Sequence, residues 1–152
     1  MTPLRFTVYG LPAGQGSKTI GRTSGGRTFL REDNPKVKPF RQAVAAAALA
    51  AGARVTDGQF LVSVVCTVAR PPSHFRKDGS LRPAHRHTRP DGKNDGDKAL
   101  RAINDALQGI VWSNDRRVRP MAIDWRWGDT TQVDITIRKC PCAGRWVYEE
   151  NR

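Results

Sequence analysis

The chain has 152 residues, enough for one domain with a sizeable hydrophobic core. Its 26 lysines and arginines exceed the 14 aspartates and glutamates, and the resulting formal net charge of +12 favours nucleic acid as the partner. We expect a cytoplasmic protein without membrane contact, because no run approaches the roughly 18 apolar residues of a spanning helix and the polar N-terminus is not typical of a signal peptide.

The first part of the chain predicts a strand, a basic hairpin and a helix. Residues 4–9 alternate apolar and polar side chains, as a half-buried strand does. Residues 16–32 place basic side chains around a Ser-Gly-Gly turn, which predicts a basic hairpin or a mobile loop. Asn34 is expected to cap a helix whose first residue is Pro35, and Gly52 is expected to end it.

The second part predicts a strand, a long loop, a helix and two more strands. Residues 60–68 are almost continuously apolar, which is typical of a central strand buried on both faces. Residues 70–93 are rich in proline, histidine and basic residues and predict a long basic loop. A helix should run from about residue 97 to 108, and residues 121–127 and 132–138 should then form a closing strand pair.

This order of elements predicts a single α+β domain, a mixed β-sheet with two main helices packed on it. The domain is expected to span residues 1–139. Residues 140–152 are expected to form a C-terminal tail in which the pattern predicts no helix or strand.

Three aspartates stand close together in the second half of this basic chain. Asp95 and Asp97 flank Gly96 at the start of the second predicted helix, and Asp115 follows that helix. The spacing of the first two can turn both carboxylates toward one ion, with the glycine permitting close approach. Oxygen ligands of this kind suit hard cations such as Mg²⁺, and a metal there can activate water and stabilise charge on a phosphodiester.

A plainer interpretation of the first two aspartates is that they only cap a helix. Acidic residues are common at helix starts because they accept backbone N–H bonds and favour the helix dipole. The rest of the helix does not decide between the two interpretations. It predicts only an apolar stripe on the core and a charged neighbouring face, the stripe being Leu100, Ile103, Leu107 and Ile110.

The residues around the aspartates match a longer pattern. The run from Asp95 reads Asp-Gly-Asp-Lys-Ala-Leu-Arg-Ala-Ile-Asn-Asp-Ala-Leu, and the run from Gly109 reads Gly-Ile-Val-Trp-Ser-Asn-Asp-Arg-Arg-Val. Together they resemble the RusA family of Holliday junction resolvases, whose core reads roughly Asp-x-Asp-Asn-x-x-Lys-x-x-x-Asp-Ala-Leu and then Gly-Val-x-Trp-x-Asp-Asp-x-x-Val. The resemblance is strongest over residues 95–118 and implies a RusA-like fold.

The resemblance also implies site residues and a cofactor. Asp95, Asp97 and Asp115 match the metal-binding aspartates of the family, with Mg²⁺ as the cofactor and Mn²⁺ as a possible substitute. Asp105 matches the acidic residue of the Asp-Ala-Leu segment, for which a structural or supporting role is expected.

Three positions depart from the family pattern. Arg101 stands where the family has a lysine, Lys98 replaces the asparagine after the second aspartate, and Asn114 replaces the first aspartate of the downstream pair. Either cation is a candidate catalytic residue that stabilises charge on phosphate. Arginine cannot exchange a proton usefully near neutral pH, so an electrostatic role survives the change better than proton transfer does. Asn114 lowers the local negative charge.

The two basic segments predict contacts to DNA phosphates. The alternative is a solvated basic surface without a partner. Phe29 and Phe75 are candidates to stack at a branch point, with core packing as the alternative. The predicted DNA-binding residues are Lys18, Arg22, Arg27, Arg31, Arg76, Lys77, Arg86 and Arg89, and Arg70 and Arg82 belong to the same segments.

The cysteines and histidines give weaker indications. Three cysteines cannot all pair within one chain, and Cys66 lies in an apolar run, so a reduced, buried thiol in a reducing compartment is expected. A zinc site built from His85, His87, Cys140 and Cys142 is disfavoured, because His-x-His and Cys-x-Cys match structural zinc modules poorly.

These observations predict a Mg²⁺-dependent endonuclease that resolves Holliday junctions by paired symmetric cuts. By the same resemblance it would be a homodimer acting on branched DNA in recombination, repair or phage DNA processing. Two alternatives stay open. One is a nucleic-acid-binding protein without catalytic activity, and the other is a nuclease acting on simpler branched DNA.

Overall fold

The computed structural model describes residues 2–14, 18–32, 34–90 and 95–140. Within these ranges a four-stranded mixed sheet carries two helices on one face, and a separate two-stranded hairpin accompanies it. The predicted α+β class is therefore confirmed.

The elements follow the order expected from the sequence. They are β1 (Leu4–Tyr9), β2 (Lys18–Arg22), β3 (Thr28–Glu32), α1 (Val37–Ala50), β4 (Phe60–Ala69), α2 (Gly96–Leu107), β5 (Val118–Gly128) and β6 (Gln132–Lys139). Strands β2 and β3 pair antiparallel, which confirms the basic hairpin.

The last two strands do not pair with each other, so the predicted closing strand pair is wrong. The sheet order is β1-β6-β4-β5, with β4 parallel to β5 and antiparallel to β6. The short connection between β5 and β6 passes across the end of β4. There the backbone N–H of Ala69 donates to Thr131 Oγ1, and the N–H of Arg70 donates to the carbonyl of Gly128. The central strand thus takes the hydrogen bonds that a hairpin would have used.

Strand β4 is fully buried on one face and only partly on the other, whereas the sequence predicted burial on both. Phe60, Val62, Val64 and Cys66 are buried, and Ser63 between them is exposed. The reason is that both helices pack on the same side of the sheet, in one core with the inward residues of β1 and β6. Burial raises the pKa of the Cys66 thiol to about 12, with Asp124 and Asp134 adding to the shift. A buried thiol was predicted, and it is confirmed.

Helix α1 begins two residues later than the sequence predicted. Asn34 accepts a hydrogen bond from the backbone N–H of Lys36, so its side chain closes a turn that precedes the helix. The first helical residue is Val37, not Pro35. At the other end Gly52 adopts a φ of +84°, a conformation that favours glycine, and the predicted stop is confirmed.

The basic segment after β4 is organised by hydrogen bonds in its described part, residues 70–90. Two short 3₁₀ turns lie at Pro72–His74 and Pro83–His85, and Phe75 bridges to Leu81. Phe75 is half-buried there. No helix within the described ranges is long and apolar enough to cross a membrane.

A histidine pair holds this segment against the sheet. The rings of His74 and His85 stack at 3.9 Å, and His74 meets Trp127 of β5 edge-on at 5.0 Å. The guanidinium of Arg70 lies 5.6 Å from the same Trp127 ring. Burial lowers the pKa of His74, and the nearby charges of His85 and Arg70 lower it further. The stack therefore favours a neutral His74.

This pKa shift predicts a loss of stability in acid. The unfolded chain takes up a proton at the ordinary histidine value of 6.5, whereas folded His74 resists protonation. Its contribution is therefore fully present above that value and declines as the pH falls through it toward the folded pKa. We expect the urea midpoint to fall more between about pH 8 and pH 5.5 in the wild type than in His74→Phe, which keeps the stack but cannot titrate. Equal falls in both proteins would contradict this assignment.

Candidate active site

Asp95 occupies the N-cap position of α2, yet its side chain makes no capping hydrogen bond. Asp97 lies in the first turn of the same helix. The side chains are 53% and 78% exposed, respectively. The Asp95 side chain therefore makes no capping hydrogen bond, which was one of the two roles in the plainer interpretation, and the favourable interaction of both carboxylates with the helix dipole remains. Both are available to bind something else.

Each of these carboxylates pairs with a cation one turn along the helix. Lys98 Nζ lies 3.3 Å from Asp95 Oδ2, and an Arg101 terminal nitrogen lies 3.5 Å from Asp97 Oδ2. The structure thus brings the two predicted cations to the two predicted metal-binding aspartates. Ion pairs between such exposed groups are worth about 0.2–1 kcal/mol, so exchanging one of these cations for a metal ion costs little.

Gly96 has a packing role at this helix start. A Cβ there would lie 3.1 Å from Ile123 Cγ2 and 3.8 Å from the indole nitrogen of Trp125. The missing side chain therefore lets the first turn of α2 lie directly on β5. On the other side of the turn, Gly14 packs against Lys98, where a Cβ would lie 3.0 Å from the Lys98 Cβ.

The body of α2 is fixed by its apolar face and by one ion pair to α1. Ile103 and Leu107 are fully buried, as the predicted stripe required, and Leu100 and Ile110 pack against the same core. On the outer side Arg41 of α1 binds the carboxylate of Asp105. This contact is compatible with the structural role expected for Asp105, which stays a prediction. Its partner on α1 was not anticipated, because nothing in the local sequence connects the two.

Asp115 lies beyond the other end of α2. The N–H of Gly109 donates to the carbonyl of Trp112 at 2.8 Å, and Trp112 is completely buried, 5.6 Å from Phe60. The following Asn114 accepts a hydrogen bond from the N–H of Arg116 at 2.9 Å. Asparagine caps as well as aspartate, so Asn114 serves the local turn, and the exposed Asp115 follows it.

Within the described part of one chain, Asp95, Asp97 and Asp115 do not form a single metal-binding group. Asp115 leads into Val118 at the start of β5, whereas Gly96 lies on Ile123. Five strand residues separate these points, about 17 Å at 3.3 Å per residue. In the described part of the chain no set of three His, Cys, Asp or Glu side chains is placed to hold a metal ion.

The disfavoured zinc site includes residues that make other contacts or are not described. His85 stacks on His74, and its carbonyl accepts from the Arg70 guanidinium. Cys142 lies outside the described residues.

The predicted DNA-binding positions are solvent-facing wherever their side chains are described. Arg89 also forms an ion pair with Asp124 at 2.9 Å. Phe29 is 46% exposed and covers Gly21 on the hairpin. The exposed set is Arg22, Arg27, Arg76, Lys77, Arg86 and Arg89, whereas the side chains of Lys18 and Arg31 lie outside the described part.

Sequence reasoning overlooked a further basic group beside Asp115. Arg116 and Arg119 are exposed, and Arg117 lies 3.6 Å from Asp57. These arginines fall outside the two predicted basic segments. Their adjacency to Asp115 in the sequence could have pointed to them.

Comparison with known proteins places these residues in a family. A family model described as endodeoxyribonuclease RusA matches residues 10–138, a span that contains both helices and all three aspartates. The chain is also 27% identical over 141 residues to the uncharacterized protein YqaN of Bacillus subtilis strain 168, across 91% of this chain and 98% of that protein. Since the family model covers most of its length, the chain belongs to the RusA family of endodeoxyribonucleases.

Proposed function

We propose that this endodeoxyribonuclease is Mg²⁺-dependent and resolves four-way DNA junctions by paired cuts. The observation that carries the proposal is the pair of exposed carboxylates on Asp95 and Asp97, neither of which caps the helix that bears it. Family membership and the net charge of +12 support a DNA substrate. The uncapped carboxylates argue against a purely binding protein, because such a protein has no use for acidic groups facing a polyanion.

The donor set fits the proposed metal in its chemistry. Carboxylate oxygens with open exposure are the ligands that Mg²⁺ takes, usually one or two per ion together with water and substrate phosphate. Asp95 and Asp97 would hold the ion, with Asp115 as the third ligand. When bound, Mg²⁺ would activate a water molecule and neutralise charge on the scissile phosphate.

Lys98 and Arg101 are the proposed cationic residues of the site. Both now neutralise the two aspartates, and each would be released toward the DNA phosphate when a metal takes its place. A guanidinium group does not exchange protons usefully near neutral pH, so the role proposed for Arg101 is to stabilise charge and not to transfer a proton. The buried face of α2 keeps both cations on the same side of the helix as the carboxylates.

The separation of Asp115 makes the proposed homodimer part of the site. Two symmetric cuts require two sites related by a two-fold axis. Because the three aspartates do not form one metal-binding group within the described part of a single chain, we propose that each metal site takes its third carboxylate from the second copy of the chain.

The first test is cleavage of a four-way junction with Mg²⁺ or with EDTA. We expect Asp97→Asn to lower the cleavage rate by about 10²–10³-fold, the usual cost of removing one preorganised electrostatic group, while junction binding is kept. Asp129→Asn is the matched control, since Asp129 is an exposed aspartate in the β5–β6 turn.

Three-way and flap substrates belong in the same assay. Paired nicks in the four-way junction alone support resolution, whereas equal cutting of the simpler substrates favours a general branched-DNA nuclease. Metal-dependent cleavage that survives Asp97→Asn would remove this residue from the site.

The second test asks whether the metal site is shared between copies. Asp97→Asn and Asp115→Asn are each expected to be inactive alone. In a heterodimer of the two, a shared arrangement leaves one complete site, with Asp95 and Asp97 from one copy and Asp115 from the other. We therefore expect mixing to restore nicking of one strand per junction.

If each chain built its own site, both sites of that heterodimer would carry a substitution. Mixing would then restore nothing. Each variant alone, and Asp129→Asn mixed with either variant, would give the same result under both arrangements. This outcome would contradict the shared site and leave the nuclease proposal standing on the first test.

A further inference from the structure

An apolar groove opens at the end of the core away from the helix start of α2. It has a volume of about 380 Å³, within the range of roughly 300–1,000 Å³ that encloses small ligands, so it has room for an aromatic side chain. Its apolar lining includes Leu4, Ala51, Ala53, Phe60, Val111 and Ile137. Three of these, Phe60, Val111 and Ile137, are almost fully buried residues of the core.

Two cations stand on the rim of this groove. Arg54 and Lys139 both line it and both are exposed. The aliphatic part of Lys139 lies over Gly58, where a Cβ would come within 2.6 Å of the Lys139 Cε. An occupant that combines apolar and acidic side chains would therefore match the groove in both respects.

The chain itself leaves the sheet at this rim. Lys139 is the last residue of β6, and the N–H of Cys140 donates to the carbonyl of Gln59 at 2.7 Å. Gln59 directly precedes Phe60 of the groove wall. Whatever follows Cys140 thus starts beside the groove. A segment of six extended residues that starts at the groove reaches about 20 Å.

The residues that follow Cys140 include an aromatic run followed by acidic residues, which matches the apolar groove and its basic rim. Residues 141–152 read Pro-Cys-Ala-Gly-Arg-Trp-Val-Tyr-Glu-Glu-Asn-Arg and lie outside the described part. They place Trp146, Val147 and Tyr148 directly before Glu149 and Glu150. In a chain with only 14 acidic residues, two adjacent glutamates after an aromatic run form a distinct match to a cationic rim.

We propose that residues 145–150 of this chain dock in the groove, with Trp146 in the apolar part and the two glutamates against Arg54 and Lys139. The docked segment covers apolar core surface at the ends of β4 and β6 and ties the chain after β6 to the end of α1. This inference does not depend on the nuclease proposal, because the groove contains none of the site residues.

Hydrogen exchange of the full chain, read by mass spectrometry, tests the docking. We expect amides in residues 145–150 to exchange at least about tenfold more slowly than in a free peptide of the same sequence, since docking opposes local opening. Ala51→Trp should abolish this protection by filling the groove. Ala50→Trp is the matched control, an equally exposed alanine on the last turn of α1 that does not line the groove.

A charge exchange provides the second measurement, should Ala51→Trp disturb folding. Arg54→Glu should reduce the protection, and combining it with Glu149→Arg and Glu150→Arg should restore it. Exchange at free-peptide rates in the wild type would overturn the proposal. Protection that is unchanged by Ala51→Trp and by Arg54→Glu would also overturn the proposal. Protection that rises with protein concentration would show docking into a second copy and would overturn docking within one chain.

Discussion

The direct packing of α2 on strand β5 is the constraint on which the candidate site depends. Gly96 allows the first helical turn to lie against Ile123 and Trp125, and the buried stripe through Ile103 and Leu107 fixes the rotation of the helix. With the apolar face turned inward, the carboxylates and cations of the first turns can only face solvent. A larger residue at position 96 would lift the helix start from β5 and displace the site along with it.

The ion pairs within the site are weak, so their cations can be exchanged for a metal ion at little cost. Asp95 and Asp97 each pair with a cation one turn away, at 3.3 and 3.5 Å, and such exposed pairs contribute little to stability. The site is therefore neutralised without being locked, as the proposed binding of a divalent ion requires. The same weak pairing would leave Lys98 and Arg101 free to turn toward phosphate in the proposed reaction.

Local sequence patterns predicted the helices and strands well, but they did not predict which strands pair. The stripe of α2, the glycine stop at Gly52 and the basic hairpin all follow from nearest-neighbour chemistry, and they are confirmed. The insertion of β4 between β5 and β6 could not be predicted, because a three-residue connection normally makes a hairpin. One-sided burial of β4 was missed for a related reason, since an apolar run does not reveal on which side the helices lie. For the candidate site, the motif pointed to the three aspartates, but only the fold shows that they do not form one metal-binding group within the described part of a single chain. No local sequence pattern predicted the ion pair between Arg41 and Asp105.

The central claim is that the carboxylate of Asp95 serves a metal and not the helix. Calorimetric titration of Mn²⁺ into Asp95→Ala, together with urea unfolding, tests it most directly. Asn114→Ala is the comparison, because that side chain does cap a turn. We predict that Asp95→Ala weakens Mn²⁺ binding by at least about tenfold and shifts the unfolding free energy by less than the roughly 0.5–2 kcal/mol that a lost cap costs. Unchanged Mn²⁺ affinity with a full cap-sized loss of stability would contradict the account.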